Sequence, residues 1–306
     1  MATKSTTWRA AYLQLSQREL VERAERALVH LDRCVMCGRR CGVDRRHGAT
    51  GDCRLGRAAR VSSHGPHFGE EAPLVGRHGS GTIFFSYCNL NCVFCQNWEI
   101  SQAGAGHALS ARQLAAMMLD LQERGCHNIN LVSPSHQLAP ILQALVPAVE
   151  EGLRLPLVYN SGGYDSPEAL ALLDGLVDIY LPDMKFADSN VARFWLKVDD
   201  YAEINRAAVL EMYRQVGDLQ LDEQGSARRG LLIRHLVLPQ NLAGTERILH
   251  FVAEQLSPET WVNLMDQYRP AHQAHRHPPL DRRPDRRELR QARQLAQQAG
   301  LRNVIG

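Results

Sequence analysis

The sequence has almost no excess charge of either sign: 35 Lys and Arg stand against 33 Asp and Glu, a formal +2. That balance removes any whole-molecule attraction to nucleic acid or anionic lipid, so such an affinity would have to be local. Long apolar runs are missing too, because Asp, Arg, Gln or Gly interrupts each one short of the roughly 18 residues that span a bilayer. The first residues, Met1 to Trp8, lack the basic segment followed by an apolar one that marks a secretory leader. These absences lead to the expectation of a cytoplasmic protein with no membrane and no nucleic-acid partner. In a reducing compartment the eight cysteines are poor disulfide partners. Seven of them fall into two tight groups with ligand-like spacing.

What is present is material for one large core, with 306 residues and 44% hydrophobic composition. Apolar positions at helical spacing over 9–31 predict an amphipathic helix, read as a lid on the main body. From 34 to 79 the chain is rich in Gly, Arg, His and Cys with little periodicity, the texture of a small module folded around an ion. A boundary is therefore placed near residue 78, giving an N-terminal helix and four-cysteine unit over 1–78. Beyond it, strands are predicted over 82–86, 129–132, 157–159, 177–181, 231–238 and 261–265. Helices are predicted over 110–124, 138–151, 167–173, 189–216 (one or two), 245–255 and 288–299, with Ser110 and Gln113 forming a capping box and Ser166 an N-cap. Strands alternating with helices imply βαβ units and a parallel sheet. Six such units over 79–270 fit an α/β fold of the partial (β/α)6 barrel type, TIM-like but not closed. The remainder, 271–306, holds a Pro-, His- and Arg-rich tract and a polar helix. Its histidines (His272, His275, His277) offer metal ligands and its arginines a nucleic-acid contact, but a solvated basic loop is the simpler reading.

Directly after the first predicted barrel strand stands Cys88-Asn89-Leu90-Asn91-Cys92-Val93-Phe94-Cys95. Barrel enzymes carry their sites on loops at the C-terminal ends of strands, so this loop opens toward the expected active face. Thiolates favour zinc or iron-sulfur, and a closed structural site wants four of them. Here three are local. Three thiolates on a four-iron cubane leave one iron open to a small molecule, whereas a zinc knuckle would need a fourth ligand from elsewhere. The second group, Cys34, Cys37, Cys41 and Cys53, supplies four thiolates and admits either zinc or a second, fully ligated iron-sulfur cluster. Cys126 stands alone and reads as an inert buried thiol.

The C-x-x-x-C-x-x-C spacing, with an aromatic residue before the third Cys, resembles the signature of the radical S-adenosylmethionine (SAM) superfamily. That resemblance implies a 4Fe-4S cluster on Cys88, Cys92 and Cys95, with SAM chelated to the open iron. Its reductive cleavage would yield a 5′-deoxyadenosyl radical. Cys95-Gln96-Asn97 and Leu181-Pro182-Asp183-Met184-Lys185 are similar to segments of the glycyl-radical-enzyme activases, and most closely to homologues of the pyruvate formate-lyase activating enzyme. The same likeness includes His67-Phe68-Gly69-Glu70-Glu71, Asn160-Ser161-Gly162-Gly163-Tyr164 and Arg234-His235. It implies an oxidoreductase that abstracts hydrogen from a glycine of a partner enzyme, fed by a flavodoxin or ferredoxin. Radical modification of RNA, peptide or a small metabolite is the alternative, and a non-catalytic iron-sulfur electron carrier is the alternative of another class.

Among SAM contacts, the resemblance assigns Lys185 to the carboxylate and Asp183 to hydrogen bonds with SAM or substrate; a structural ion pair is the other reading of those two. Where the superfamily carries Gly-Gly-Glu to hold the SAM amino group, this chain has Ser133-Pro134-Ser135-His136. Ser133 and Ser135 are the acceptors expected there. Asn160 and Ser161 are ribose or methionine contacts by position, or else turn residues before Gly162-Gly163.

Overall fold

Six of the predicted apolar runs become neighbouring parallel strands. The structure, a computed structural model, describes residues 8–306, and the sequence reading of residues 1–7 lies outside them. Its strands are β1 (Ala59–His67), β2 (Ser80–Phe85), β3 (His107–Leu109), β4 (Ile129–Val132), β5 (Leu157–Ser161), β6 (Ile179–Pro182), β7 (Gln220–Leu221), β8 (Ala227–Leu236), β9 (Trp261–Met265) and β10 (Val304–Ile305). In space they run β10-β9-β8-β6-β5-β4-β2-β1-β3, with β7 paired to β8. From β2 to β9 every neighbour is parallel. The two ends of this order do not meet, so the barrel is open.

Parallel strands are covered on both faces, which is why they read as continuous apolar runs rather than alternating ones. Ile129, Leu131, Val158, Tyr159, Ile179, Leu181, Leu232 and Ile233 are all buried. Outside the sheet, helices Ala111–Glu123 and Pro167–Leu173 begin at the expected caps, Ser110 with its Gln113 capping box and Ser166. Each such cap satisfies backbone N–H groups that the first turn leaves orphaned, worth about 1 kcal/mol. The stretch 189–216 resolves into two helices, Ser189–Leu196 and Tyr201–Val216, separated by Lys197 in the left-handed region.

Three expectations change. The helix over 9–31 is shorter, Gln17–Val29, because Ser16 and Glu19 form a capping box that starts it there; a 3-10 turn, Ala11–Gln14, precedes it. It packs on helices Leu138–Glu150 and Pro167–Leu173 in the outer ring rather than lying as a lid. Strand β1 falls before residue 78 yet pairs antiparallel with β2, so the sheet itself reaches into the span assigned to the N-terminal unit. At the other end β10 pairs with β9, and helix Arg286–Gln298 packs on helix Thr245–Gln255, tying 286–306 to the barrel. The tract before it is no free excursion either. Gln273 N donates to Val93 O at 3.0 Å, and the His272 ring stacks on Trp98. Among the described residues, His272, His275 and His277 do not converge as a ligand group, and no helix is long and apolar enough to cross a membrane.

Two buried histidines give the fold a pH dependence. His235 donates from Nδ1 to Met184 O (2.7 Å), and its Nε2 accepts from Thr245 Oγ1 (2.9 Å). Burial pushes its imidazole down to about 4, and that of His136 down to about 3. An unfolded chain takes up protons on both rings near pH 6.5, while the folded chain holds them neutral to much lower pH. Between those limits the unfolded state binds more protons, so stability falls as pH drops below 6.5, by about 1.4 kcal/mol per unit per ring. The buried Asp178 carboxyl, pushed up to about 7 by burial, contributes the opposite slope. The ring is therefore read as a difference: in urea denaturation at a series of pH values the stability gap between wild type and His235→Gln is expected to shrink as pH falls below 6.5. An unchanged slope in the variant would remove His235 from this account.

Candidate metal and cofactor site

All six parallel strands deliver a residue to one cavity of about 230 Å³ at their C-terminal ends. Cys88, Cys92 and Cys95 come from the loop after β2, Ser133 follows β4, Asn160 and Ser161 close β5, and Asp183 and Lys185 follow β6. Arg234 and Leu236 end β8, and Met265 ends β9. Two turns leading into the site hold non-glycine residues in the left-handed region, Tyr87 (φ 66°) and Ser133 (φ 58°). Such backbone costs about 1–3 kcal/mol and persists where surrounding structure enforces it.

The cysteine loop is held by its own backbone and by its neighbours. Leu90 N donates to Cys88 Sγ (3.4 Å), Cys95 Sγ and Ser101 Oγ are 3.0 Å apart, and Gln102 Nε2 donates to Cys92 O (2.9 Å). Asn91 N and Val93 N donate to Leu196 O and Trp195 O. Burial pushes the Cys88 thiol up to about 11 and the Cys92 thiol higher still, against the pull of Lys185. A cation in place of the protons inverts this balance. Among the described residues, the one group of three or more ligand atoms within 4.8 Å of one another is Asp32, Asp44 and His47, at the surface. At least one pair of the three loop sulfurs is therefore more than 4.8 Å apart, beyond the roughly 3.8 Å that 2.3 Å bonds to a single tetrahedral zinc impose. Three thiols lining the cavity, with no fourth there among the described residues, fit an iron-sulfur group with one iron left open.

Opposite the sulfurs lies a charged network. Asp183 accepts from Arg234 Nε at 2.9 Å through one oxygen and from Lys185 Nζ at 2.5 Å through the other. Burial alone would raise the Asp183 carboxyl, and Arg234 with Lys185 overcomes it, leaving the group below its ordinary range. Burial likewise opposes the Lys185 ammonium, and Asp183 and Cys92 hold its pKa up. Arg234 also donates to Asn160 Oδ1 (2.6 Å) and approaches Glu70 at 3.7 Å. The loops beneath are fixed by Tyr201 and Asn205. The Tyr201 hydroxyl donates to Gly162 O, and Asn205 Nδ2 donates to both Gly163 O and Asp183 O. Gly163 has φ +70°, and a side chain there would collide with Asp183 O and Asn205 Nδ2.

Of the sequence candidates, Ser133, Asn160, Asp183 and Lys185 meet in this cavity with the three cysteines, while Ser135 does not. The residues after Ser133 turn into a short 3-10 helix, which buries Ser135 behind the sheet beside Tyr159 and Asp165. Ser161 lines the cavity but is committed locally: its hydroxyl donates to Asp165 and accepts from Gly163 N. His235 points away from the site. Sequence reasoning missed Glu70, Tyr201 and Asn205 as parts of it, and nothing local distinguishes the last two from ordinary helix-core residues. Cys34, Cys37, Cys41 and Cys53 lie near one another outside this cavity, and Cys126 is a buried thiol.

With this geometry in hand, comparison with known proteins gives two findings. The family model of the radical SAM superfamily matches residues 82–252. An uncharacterized protein of Methanocaldococcus jannaschii is 34% identical over 278 residues, covering 88% of this chain and 75% of the relative.

Proposed function

Because the chain belongs to the radical SAM superfamily, we propose that it cleaves SAM reductively at a 4Fe-4S cluster on Cys88, Cys92 and Cys95 and uses the radical to abstract hydrogen from a macromolecular substrate. The observation that supports this most is that the three thiols share one cavity with the Asp183, Lys185 and Arg234 network. When bound, the cluster supplies one electron to the sulfonium, whose carbon-sulfur bond breaks to give methionine and a 5′-deoxyadenosyl radical. The chain's own residues bind and orient. Lys185, kept protonated, offers an ammonium to the methionine carboxylate. Ser133, at the place of the missing Gly-Gly-Glu, is the acceptor that lines the cavity there, with Ser135 too deeply placed to serve. Asn160 has its oxygen taken by Arg234, which leaves its amide N–H groups as the donors it can offer to SAM.

The open side of the barrel favours a peptide loop as substrate, in the manner of a glycyl radical enzyme presenting its glycine, with a flavodoxin or ferredoxin as electron donor. A primary radical must meet its hydrogen at contact distance with water displaced. A second reading, a small metabolite or short peptide, is favoured by the link from Gln273 to Val93, which draws the tract around residue 273 over the cysteine loop.

Protein reconstituted anaerobically with iron and sulfide, reduced and given SAM is expected to release 5′-deoxyadenosine. Added glycyl radical enzymes from the same cell should then develop a glycine-centred doublet in electron paramagnetic resonance. No 5′-deoxyadenosine under these conditions would defeat the whole reading. Cleavage stimulated only by a low-molecular-weight fraction, with no doublet, would defeat the macromolecular substrate alone.

A further inference from the structure

Arg45 is 1% exposed, one of the largest fully buried side chains, and no carboxylate pairs with it among the described residues. Two of its nitrogens donate to Gly56 O, at 3.1 and 2.9 Å, and the third reaches Cys34 Sγ at 3.6 Å. A guanidinium taken out of water without an anion is costly by several kcal/mol. Its natural counter-charge is a set of metal-bound thiolates, which carry net negative charge. The four thiols are at hand. Cys34 and Cys41 lie side by side, Cys37 faces Cys34 and Cys53, and Gly51 packs so closely on Cys41 that a Cβ there would lie 2.7 Å from its sulfur. Backbone N–H groups of Arg39 and Val43 donate to Cys37 and Cys41. Among the described residues no three of these sulfurs lie within 4.8 Å of one another, wider than one zinc ion would set them.

This module is joined to the cysteine loop of the cavity by two separate hydrogen-bonded chains. Arg39, two residues after Cys37, donates from Nε to the carbonyl of Asn89 (2.6 Å), the neighbour of Cys88. Arg54, the neighbour of Cys53, donates to Gln102 O (2.8 Å), and the Gln102 side chain donates to Cys92 O (2.9 Å). The two groups of thiols are thus linked through a few covalent and hydrogen-bonded steps.

We propose that Cys34, Cys37, Cys41 and Cys53 hold a second iron-sulfur cluster that passes one electron toward the site of Cys88, Cys92 and Cys95. The destination of the electron rests on the function proposed above; the existence of the second cluster does not. One electron enters from a low-potential donor of the flavodoxin or ferredoxin class, reduces the second cluster by one, and leaves it reoxidised as it moves on. No atom is transferred.

The test has two arms. Protein with Cys88, Cys92 and Cys95 all changed to Ala leaves the module intact. After anaerobic reconstitution it is expected to keep iron and sulfide in about equal amounts and to give a reduced-cluster paramagnetic signal with dithionite. Zinc without sulfide, or no metal, would overturn the second cluster. In the second arm, Cys41→Ser, at the exposed ligand, is expected to cleave SAM with dithionite within about twofold of wild type. Driven by a reduced flavodoxin, the same variant should fall at least about tenfold. Equal loss or equal retention with both reductants would overturn the relay. Wild-type protein that cleaves no SAM would overturn the proposed function and the relay together, leaving the first arm to decide the cluster by itself.

Discussion

Alanine at Cys92 is expected to lower 5′-deoxyadenosine formation by at least about 1,000-fold, an all-or-none loss rather than a graded one. Cys92 is the most enclosed of the three cavity thiols, 8% exposed, with Lys185 and Asp183 facing it alongside Cys88 and Cys95. Its sulfur accepts no hydrogen bond that holds the loop; the loop is held through the carbonyls of Cys92 and Val93 and the N–H groups of Asn91 and Val93. Removing one buried sulfur should therefore cost about 1 to 2 kcal/mol of folding stability at most, far too little to explain the loss of turnover. With two thiols remaining there is no set of three to bind a four-iron group, and Ser, a harder ligand, should not rescue it. The check pairs product analysis with iron content and thermal unfolding. A folded Cys92→Ala protein that makes 5′-deoxyadenosine at the wild-type rate would remove the cysteine loop from the chemistry.

How much of this was legible in the sequence depends on the range over which each feature is made. Helices started by Ser110 and Ser166 could be read to the residue because a cap is a contact across three positions. The cysteine loop could be read for the same reason: its ligands span eight residues and follow an apolar strand. Strand β1 was missed because Ser62, Ser63, Gly65 and Pro66 break any alternation. What makes it a strand is pairing with β2, a contact the local sequence does not encode. Ser133 and Ser135 looked equivalent, and the left-handed backbone at Ser133 separates them, sending one hydroxyl to the cavity and the other behind it. Arg234 entered the sequence reading only through the family resemblance. It is 51 positions from Asp183, and only the adjacency of β6 and β8 shows that the two are a pair.

That pair carries the other large effect. Among the described residues, Arg234→Ala leaves Asp183 with Lys185 as its sole cationic partner and removes the cation paired with Glu70. All of these side chains are less than a fifth exposed, so water compensates poorly. Breaking a buried pair by removing one partner costs about 3–5 kcal/mol, and the apo-protein should lose that much in urea denaturation near neutral pH. The deficit has a pH signature. Burial already holds the Glu70 carboxyl above its ordinary range, opposed by Arg234. Without that cation its folded pKa rises further above the unfolded value, so the folded state binds the extra proton and the penalty shrinks as pH falls. Stability of the variant should thus approach wild type on acidification. Activity should not follow. Arg234→Lys restores a charge near Asp183, but an ammonium cannot donate in a fixed plane to Asp183 and Asn160 at once. It is expected to recover most of the stability while SAM cleavage stays about 10- to 100-fold down. Should Arg234→Ala unfold within about 0.5 kcal/mol of wild type at neutral pH, the two carboxylates of Asp183 and Glu70 would not depend on Arg234, and its place in orienting Asn160 and Asp183 would fall with it.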